Sequence, residues 1–429
     1  MVIMSKHKQT LGIEVEENAH RLETLQIHNM THIDAEVLII GGGIAGVSTA
    51  YHLALYGYEV TLLERGNLAS QASGVNAGTM WPSGWGIVPD LPSTLTMGSL
   101  EMFKTLQFDL GYNFEFRQSG ALKVIQTEEE YEFCRTLLLE LKTKGYCVEL
   151  LTTREAQSIE PELSSELLGC MYYPLGASVH PAKATYAFAS AAQQRGVRIL
   201  TNHEVIALEY LSDKTYRVYT PLTIFHTGML VIAAGSWCRP IGLMLGLDIP
   251  VIPVRAQMWS TERVPIRLFH VIGAVESALQ WYKDPSNRYG TPPELTHKGK
   301  VRLTRHLYGR QTHDGEIIIG GDRQLADANI PDLSGIEVNR NHAIEVLPFL
   351  EELPIKRTWA AWMPFTPSLE PIIGKIPQRD NLYIIAGIYT VGFERSPMAG
   401  KLLADHIHNI ERPHILSEAD PARQVRAAS

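Results

Sequence analysis

Residues 34–65 read DAEVLIIGGGIAGVSTAYHLALYGYEVTLLER and have the pattern of one complete β-α-β unit. The unbroken apolar run at 37–40 is typical of a strand buried in a parallel sheet. Glycines follow it, then a helical pattern over 44–56 that Gly57 closes, and then a second strand over 58–63. This unit predicts an α/β domain built on a parallel sheet.

The turn between the first strand and the helix carries the motif Gly41-x-Gly43-x-x-Gly46, and Glu64 follows 18 residues after the last glycine. Small residues let a backbone approach a pyrophosphate, the helix N-terminus stabilises its charge, and an acid at the end of the second strand binds ribose hydroxyls. The motif in this context predicts a dinucleotide-binding site. The alternative is a tight strand–helix turn without a ligand.

The composition excludes several classes of protein. With 429 residues, of which 45% are hydrophobic and 20% charged, the chain has the profile of a soluble globular protein of two or three domains. Its formal net charge of −8 argues against a nucleic-acid binder, because such proteins usually carry a basic face. No apolar run approaches the roughly 18 residues that a membrane-spanning helix needs.

The cysteine and histidine patterns argue against a metal site. Four cysteines lie far apart without a CxxC pair, and the 16 histidines form no HExxH motif. We therefore predict no bound metal, no disulfide framework and a reducing compartment. Residues 1–33 are polar and lack the apolar segment of a secretory signal, so we expect a polar N-terminal tail and a cytoplasmic protein.

Two kinds of segment alternate after residue 33, which predicts two interwoven domains. Patterns like those of the first unit return at 180–235, whereas 250–355 has short strands and an Asp314-Gly315 turn typical of an antiparallel sheet. The predicted division is a cofactor-binding domain of residues 34–90, 172–248 and 356–412, a substrate-binding domain of residues 91–171 and 249–355, and a C-terminal tail over 413–429.

Several blocks beyond the glycine motif add to this pattern. In chain order they are ASGVNAG (72–78), VHP (179–181) with Val205 downstream, VIAAGSW (231–237), PVRAQ (253–257), WAAWMPFTPSLEPIIG (359–374) and a glycine-rich stretch over 386–400. With these blocks, the chain from about residue 34 to 410 resembles the superfamily of FAD-dependent amine oxidoreductases that includes glycine oxidase, sarcosine oxidase and D-amino-acid dehydrogenase.

The resemblance implies a Rossmann-like FAD-binding domain of the glutathione-reductase type, interwoven with an α+β substrate domain built on an antiparallel sheet. It also implies which residues contact FAD. These are Gly41, Gly43, Ile44, Ala45, Gly46, Glu64, Arg65, Ser73, Asn76, Ala77, Gly78, Thr79, Val205, Ala234, Gly235, Trp237, Gly387, Val391, Gly392 and Phe393. Ala361 and Val75 stand where relatives attach the flavin covalently, so we expect the FAD to be non-covalent.

The chain departs from the family where relatives bind the substrate carboxylate. Met363 and Thr390 stand at places where relatives have an arginine, and Glu394 stands near the place of a lysine. A guanidinium is the usual way to hold a carboxylate in a dry pocket. The residues expected on the substrate side are Met363, Trp362, Glu394, Arg395, Tyr308 and Arg310.

These departures lead to a hypothesis about the substrate. A buried anion at Glu394 would attract an ammonium and repel a carboxylate, so we predict an amine with a cationic or neutral distal group. The rival interpretation is that Arg395 forms an ion pair with Glu394, while Arg310 or Arg255 holds a carboxylate from the other domain.

The activity implied by the resemblance is hydride transfer from the carbon that bears the amine to flavin N5, giving an imine that water hydrolyses. Reoxidation would use oxygen or a quinone. Two alternatives remain open. One is a flavoprotein subunit of a hetero-oligomeric amino-acid or opine-type dehydrogenase, and a homo-oligomer is equally compatible. The other is a 2-hydroxy-acid oxidoreductase, although the histidine and carboxylate clamp expected of it are absent at the matched places.

Overall fold

Strand Thr31–Ile40 is the first element of the computed structural model, which describes residues 30–276 and 296–428. The strand pairs in parallel with Val60–Leu63 on one side and with Thr223–Ile232 on the other. Its residues 37–40 are buried, as expected for a parallel strand that is covered on both faces. Helix Ile44–Leu55 connects the first two strands, so the predicted β-α-β unit is confirmed.

An eight-stranded sheet, called the first sheet below, grows from this unit. Its main strands are, in spatial order, Ile372–Lys375, Leu382–Ala386, Thr223–Ile232, Thr31–Ile40, Val60–Leu63 and Arg198–Leu200. The hairpin Ala207–Tyr210 and Tyr216–Tyr219 pairs beside Thr223–Ile232.

Side chains on the two faces of the first sheet belong to two separate apolar cores. Val37 and Ile39 pack into the core on one face, and Leu38 and Ile40 pack into the core on the other. The first of these cores is shared with the helices Ile44–Leu55, Leu91–Lys104, Pro181–Gln193 and Gly392–Asn409.

A second eight-stranded sheet is built from other parts of the chain. Its strands are, in spatial order, Ile355–Phe365, Ile252–Arg263, Glu316–Gln324, Tyr308–Gln311, Val271–Ala274, Ala121–Ile125, Gly169–Tyr173 and Glu149–Leu151. All neighbours in it are antiparallel except the parallel pair Val271–Ala274 and Ala121–Ile125. The predicted α/β fold with one largely parallel and one antiparallel sheet is therefore confirmed.

Helices and short strands complete the described part of the chain. The remaining helices are Ala72–Val75, Glu128–Thr143, Thr153–Ile159, Cys238–Leu243 and Leu333–Val346. The remaining short strands are Thr79–Met80, Ala177–Ser178, Leu247–Asp248, His297–Lys298, Val301–Arg302 and Arg426–Ala427.

Two strands lie across the predicted boundaries between the two domains. Ile355–Phe365 falls almost wholly within the predicted cofactor segment 356–412, yet it pairs with Ile252–Arg263 in the second sheet. Gly169–Tyr173 spans the predicted boundary at residue 171 and belongs as a whole to the second sheet. In both cases the deciding partner is distant in sequence, so no local pattern marks the choice of sheet.

Both predicted tails contribute to ordered structure. Residues 31–33 extend the first strand and pair with 223–225, whereas residues 1–29 lie outside the described part. In the C-terminal segment Leu416, Ala419 and Val425 are buried, and Arg426–Ala427 pairs with Leu247–Asp248. The segment 413–428 is thus packed against the first sheet rather than being a free tail.

The last long helix, Gly392–Asn409, begins inside the glycine-rich stretch over 386–400. Pro397 lies inside the helix, in its second turn, and has no backbone N–H to donate there. The start at Gly392 matters for the site, because it puts Glu394 in the first helical turn.

Candidate active site

The glycine turn brings three pieces of backbone into contact at the carboxyl ends of the parallel strands. Gly41 has φ +117°, and a Cβ there would lie 2.4 Å from the carbonyl oxygen of Ala233. A Cβ on Gly46 would lie 2.0 Å from the carbonyl oxygen of Gly41, and one on Gly43 would lie 2.9 Å from Ser73 Oγ. Only glycine fits these positions, and the turn therefore leaves the N-terminus of helix Ile44–Leu55 open to a ligand.

Glu64 holds this turn from the end of the neighbouring strand. Its Oε2 accepts a hydrogen bond of 2.8 Å from the backbone N–H of Gly42, and its Oε1 accepts one of 2.8 Å from Gly66. The first N–H groups of a helix have no partner within the helix. Here the Ile44 N–H donates to Ser73 Oγ at 3.0 Å. A carboxylate and a helix N-terminus thus stand side by side at the sheet edge.

A cavity of about 1000 Å³ opens at this edge and extends to the second sheet. Most of the residues predicted to contact the cofactor line it: Gly41, Gly43, Ile44, Ala45, Glu64, Arg65, Ser73, Asn76, Ala77, Thr79, Val205, Ala234, Gly235, Trp237, Gly387, Val391, Gly392 and Phe393. Gly46 and Gly78 are not among the lining residues. They act in backbone packing, since a Cβ on Gly78 would lie 2.0 Å from the carbonyl oxygen of Val179.

The end of the cavity nearest Glu64 is lined by a stacked pair. The guanidinium of Arg65 lies over the ring of Trp237, with its carbon 3.7 Å from the ring centroid. His203, Glu204 and Val205 line the same cavity. A cation over an indole ring is attracted to it by about 0.5–1 kcal/mol at an exposed site.

The opposite end of the cavity is floored by the second sheet and carries a cluster that the sequence analysis missed. Arg323, His306 and Tyr308 all line the cavity. Arg323 is only 5% exposed, and its Nη2 hydrogen-bonds the imidazole of His306. Burial lowers the pKa of Arg323 to about 10.

Burial also holds the pKa of His306 well below its usual value, and the charges of Arg323, His342 and Lys123 act in the same direction. The imidazole is therefore neutral around pH 7. A neutral imidazole can accept a hydrogen bond from the guanidinium, so Arg323 keeps its full positive charge for a ligand in the cavity.

A β-bulge explains why Arg323 faces the cavity. Gln257 pairs with Asp322 and Met258 pairs with Gly320, so Gly321 is an extra residue in its strand. Gly321 has φ +135°, and a Cβ there would lie 2.4 Å from the carbonyl oxygen of His306. Strict alternation from Ile318 would turn residue 322 to the cavity; the extra residue turns Arg323 there instead.

Lys123 is the second cation on the cavity floor that the sequence analysis missed. It lies on strand Ala121–Ile125, with its Nζ 5.1 Å from the ring centroid of Trp81 and 5.2 Å from that of Tyr173. Among the residues that the structure describes, no carboxylate lies within 4.0 Å of this ammonium. The aromatic faces stabilise the charge without neutralising it.

Glu394 supplies the anion of this end of the cavity. The residue is 4% exposed, and its Oε2 accepts a hydrogen bond of 2.6 Å from the backbone N–H of Trp81. Burial raises the pKa of Glu394, while the nearby charges of Arg395 and Lys123 and the bond from Trp81 oppose the rise. The ion pair with Arg395 that the rival interpretation requires does not form. That guanidinium donates to Thr96 Oγ1 at 3.1 Å and to Tyr389 Oη at 3.4 Å instead.

The structure separates the residues predicted for the substrate side. Met363, Trp362, Glu394, Arg395 and Tyr308 line the cavity. Arg310 does not line it, because its Nε donates to the carbonyl oxygen of Ala77. Arg255 is also directed elsewhere, toward the carbonyl oxygen of Ile330 and the side chains of Gln324 and Asp332. Neither arginine named as a substitute clamp therefore reaches the cavity.

Aromatic side chains also differ in whether they line the cavity. Trp81 and Trp362 line the cavity, whereas Trp259 is fully buried in the core and donates its indole N–H to Asn339 Oδ1 at 2.9 Å. Tyr389 lines the cavity, and Trp281 and Tyr282 lie outside the described residues. Within 30–276 and 296–428, no group of three or more potential ligands could hold a metal ion, and no helix is long and apolar enough to cross a membrane.

Two sheets meeting at a dinucleotide-type glycine turn, with a charged cavity between them, define a flavin- or nicotinamide-linked oxidoreductase as the class of protein. Residues 36–406 match the family described as DAO, FAD dependent oxidoreductase. The chain belongs to this family, and its cofactor is FAD.

Known relatives cover most of this chain. Dimethylglycine dehydrogenase of Rattus norvegicus is 28% identical over 91% of this chain, and glycine oxidase of Bacillus licheniformis is 27% identical over 87%. The matches cover 45% of the former protein and 92% of the latter, so this chain spans about half the length of the dimethylglycine dehydrogenase. A sarcosine oxidase subunit beta of an Arthrobacter species is 26% identical, with 88% of this chain and 87% of that protein covered.

Among solved structures, the L-proline dehydrogenase from P. horikoshii is similar to this chain with a TM-score of 0.75 and 27% sequence identity. The similarity covers 91% of this chain and 98% of that one. The agreement over almost the whole length supports the arrangement of the two sheets around the cavity.

Proposed function

We propose that this chain oxidises the C–N bond of an amine or amino acid, with non-covalently bound FAD as its cofactor. The observation that carries the proposal is the continuous cavity that joins the glycine turn and Glu64 to the charged groups on the second sheet. One end of it suits a dinucleotide, and the other offers charged partners for a small zwitterion.

Three features of the cavity fit FAD. The glycine turn has no room for a Cβ at Gly41 or Gly43, and it exposes a helix N-terminus that suits a pyrophosphate. Both oxygens of Glu64 are oriented by backbone N–H groups and keep lone pairs for ribose hydroxyls. The volume of about 1000 Å³ is at the upper end of ligand cavities, as a large cofactor requires.

Val75 and Ala361 support non-covalent binding. Both residues line the cavity at the places where relatives link the flavin, and neither has a side chain that could form the bond. Acid precipitation of the yellow holoprotein tests this: all of the flavin is expected in the supernatant. Flavin that stays with the protein pellet would contradict the proposal.

When bound, FAD supplies the two-electron oxidation, and this chain supplies binding, orientation and proton handling. A substrate amine must lose its ammonium proton before the C–H bond is broken. Oε1 of Glu394 has no hydrogen-bond donor among the described residues, and burial raises the pKa of this carboxyl. We propose that Glu394 Oε1 first binds the ammonium and then takes its proton, leaving the neutral amine.

Glu394 also favours an amine over a 2-hydroxy acid. Arg323 and His306 provide a guanidinium and an imidazole in the cavity, from positions that the family pattern does not predict. The lack of an arginine and a histidine at the family's own positions therefore no longer argues against a hydroxy acid. A hydroxyl has no charge with which to stabilise a buried carboxylate, whereas an ammonium does. The buried carboxylate of Glu394 therefore favours an amine substrate over a 2-hydroxy acid.

The test is anaerobic mixing of the holoprotein with amines, amino acids and 2-hydroxy acids of matched carbon chains, followed by the loss of flavin absorbance. Bleaching by the amino compounds and not by their hydroxy counterparts is the expected result. Bleaching by the 2-hydroxy acids alone would refute the proposal. A matched Glu394→Gln variant should lose rate most strongly at pH values above the pKa of Glu394 and below that of the substrate amine, where the carboxylate is ionised and the amine still carries its extra proton.

Reoxidation and assembly belong to the same proposal. We propose that oxygen or a quinone takes the electrons from the reduced flavin, and that the chain works as a homo- or hetero-oligomer, since one relative is named as a subunit. Sedimentation of the purified chain, together with oxygen consumption, separates these possibilities. The free cysteines, three of them buried, fit the proposed cytoplasmic address, because a reducing compartment keeps thiols unpaired.

A further inference from the structure

The charges on the cavity floor point to a particular class of substrate. We propose that the substrate is an amino compound with two acidic groups, one bound by Arg323 and the other by Lys123, while its amine is directed to Glu394. This inference rests on the proposed function and makes it narrower. It replaces the expectation of a cationic or neutral distal group, which was based on Glu394 without the two cations opposite.

Arg323 is suited to bind the first acidic group. Its guanidinium is 5% exposed and lines the cavity, and its side-chain hydrogen bonds go to the neutral ring of His306. Asp322, the nearest carboxylate in sequence, is held by His297, Thr296 and Gln257 instead. A buried guanidinium that has no carboxylate within 4.0 Å, in the part of the chain described, is costly unless a ligand supplies one.

Lys123 is suited to bind the second acidic group. Its ammonium lies beside two aromatic faces, which leave its three N–H donors available. The residue is partly buried, and it lines the same cavity as Arg323. A lysine kept free of carboxylates in a cavity is the arrangement expected for a ligand anion rather than for stability.

The two cations project from backbone positions that lie far apart on the second sheet. Arg323 belongs to strand Glu316–Gln324 and Lys123 to strand Ala121–Ile125, and two other strands lie between them. Three steps of about 4.8 Å each separate the two backbones by about 14 Å. The charges of both cations lower the pKa of His306, so both act on the same part of the cavity. The two side chains can converge, but each presents its own binding position.

Charge complementarity supports a substrate with two acidic groups and one amine. Such a compound carries two negative charges and one positive charge, and the cavity offers Arg323, Lys123 and Glu394 as opposite partners. Arg395 also lines the cavity, but its charge acts on Glu394, where it opposes the rise in the pKa of that carboxyl. A monocarboxylic amino acid would leave one buried cation without a partner.

The experiment measures binding of glutarate and butyrate to the oxidised holoprotein through the change in the flavin spectrum. These probes have a four- or five-carbon acyl chain and differ in the second carboxylate, and neither has an amine to be oxidised. We expect glutarate to bind more tightly. Lys123→Met should weaken glutarate binding by about 10- to 100-fold and leave butyrate binding unchanged, as the loss of one charge-assisted bond predicts.

Matched variants keep the result interpretable. Lys142→Met removes a lysine from the exposed side of helix Glu128–Thr143 and should change neither affinity, whereas Lys123→Arg should restore part of the glutarate affinity. Arg323→Lys should weaken the binding of both glutarate and butyrate. Equal binding of the two probes by the unmodified protein, or equal losses for both in Lys123→Met, would overturn the inference.

The same variants separate this inference from the proposed function. Diacidic and monoacidic amino compounds, such as glutamate and 2-aminobutyrate, are compared by flavin bleaching. If monoacids bleach the flavin as efficiently as diacids, the proposed oxidation stands and the inference fails. If no amino compound bleaches the flavin, yet Lys123 still discriminates glutarate from butyrate, the anion site stands and the proposed oxidation fails.

Discussion

The replacement Glu64→Gln tests whether the carboxylate of Glu64 contributes to cofactor binding. In the structure, each carboxylate oxygen of Glu64 accepts one backbone hydrogen bond of 2.8 Å, from Gly42 and from Gly66. Glutamine keeps the size of the side chain but replaces one oxygen with an NH2 group. That group faces a backbone N–H, so one hydrogen bond is lost and two donors point at each other.

The magnitude follows from the loss of one bond to a charged acceptor. Leaving a buried donor unsatisfied costs about 1–3 kcal/mol. Because the turn around Gly42 forms the cofactor end of the cavity, we expect this cost to appear as weaker FAD binding. At 1.4 kcal/mol for each factor of ten, the dissociation constant of FAD should rise by about 5- to 150-fold.

The assay is titration of the apoprotein with FAD, followed by the quenching of flavin fluorescence. Glu36→Gln is the matched control: Oε2 of Glu36 also accepts a backbone bond, of 2.7 Å from Glu59, but the residue is exposed and does not line the cavity. Its FAD affinity should equal that of the unmodified protein. The same affinity in Glu64→Gln would refute the role of Glu64, and the same loss in both variants would point to a general effect on the strand.

Three further outcomes are expected. Gly46→Ala should lower the free energy of unfolding by about 1–3 kcal/mol in chemical denaturation, because its Cβ would lie 2.0 Å from the carbonyl oxygen of Gly41; unchanged stability would contradict the close packing. Burial raises the pKa of Glu394, so its ionisation in the folded state costs stability above the ordinary carboxyl pKa and costs nothing below it. The apoprotein of Glu394→Gln should therefore melt at a higher temperature than the unmodified apoprotein near pH 8, with the difference shrinking as the pH falls, and a difference independent of pH would argue against a raised pKa. A thiol reagent should modify Cys147 in the native protein and leave Cys238 unmodified, since Cys238 is buried and its pKa is raised to about 12; rapid reaction of Cys238 would contradict this packing.

The β-α-β unit and its glycine turn could be predicted from the sequence because the forces that form them are local. Val37 to Ile40, the glycines and Glu64 lie within 30 residues of one another, and each position has a chemical requirement that few residues meet. Gly41 needs a positive φ, and Gly46 needs the absence of a Cβ. The order of residues in this segment therefore specifies both its shape and its ligand class.

The substrate end of the cavity could not be predicted in the same way. Strand 355–365 joins the second sheet through a partner strand about 100 residues earlier. The charge of Lys123 acts on Glu394, although the two residues lie in different halves of the chain. Arg323 faces the cavity because one extra residue, Gly321, reverses the alternation of its strand. Period-two patterns cannot show such a reversal, because it depends on which backbone atoms of neighbouring strands pair. The cofactor is thus encoded in adjacent residues, whereas the charges that select the substrate are brought together by long-range pairing.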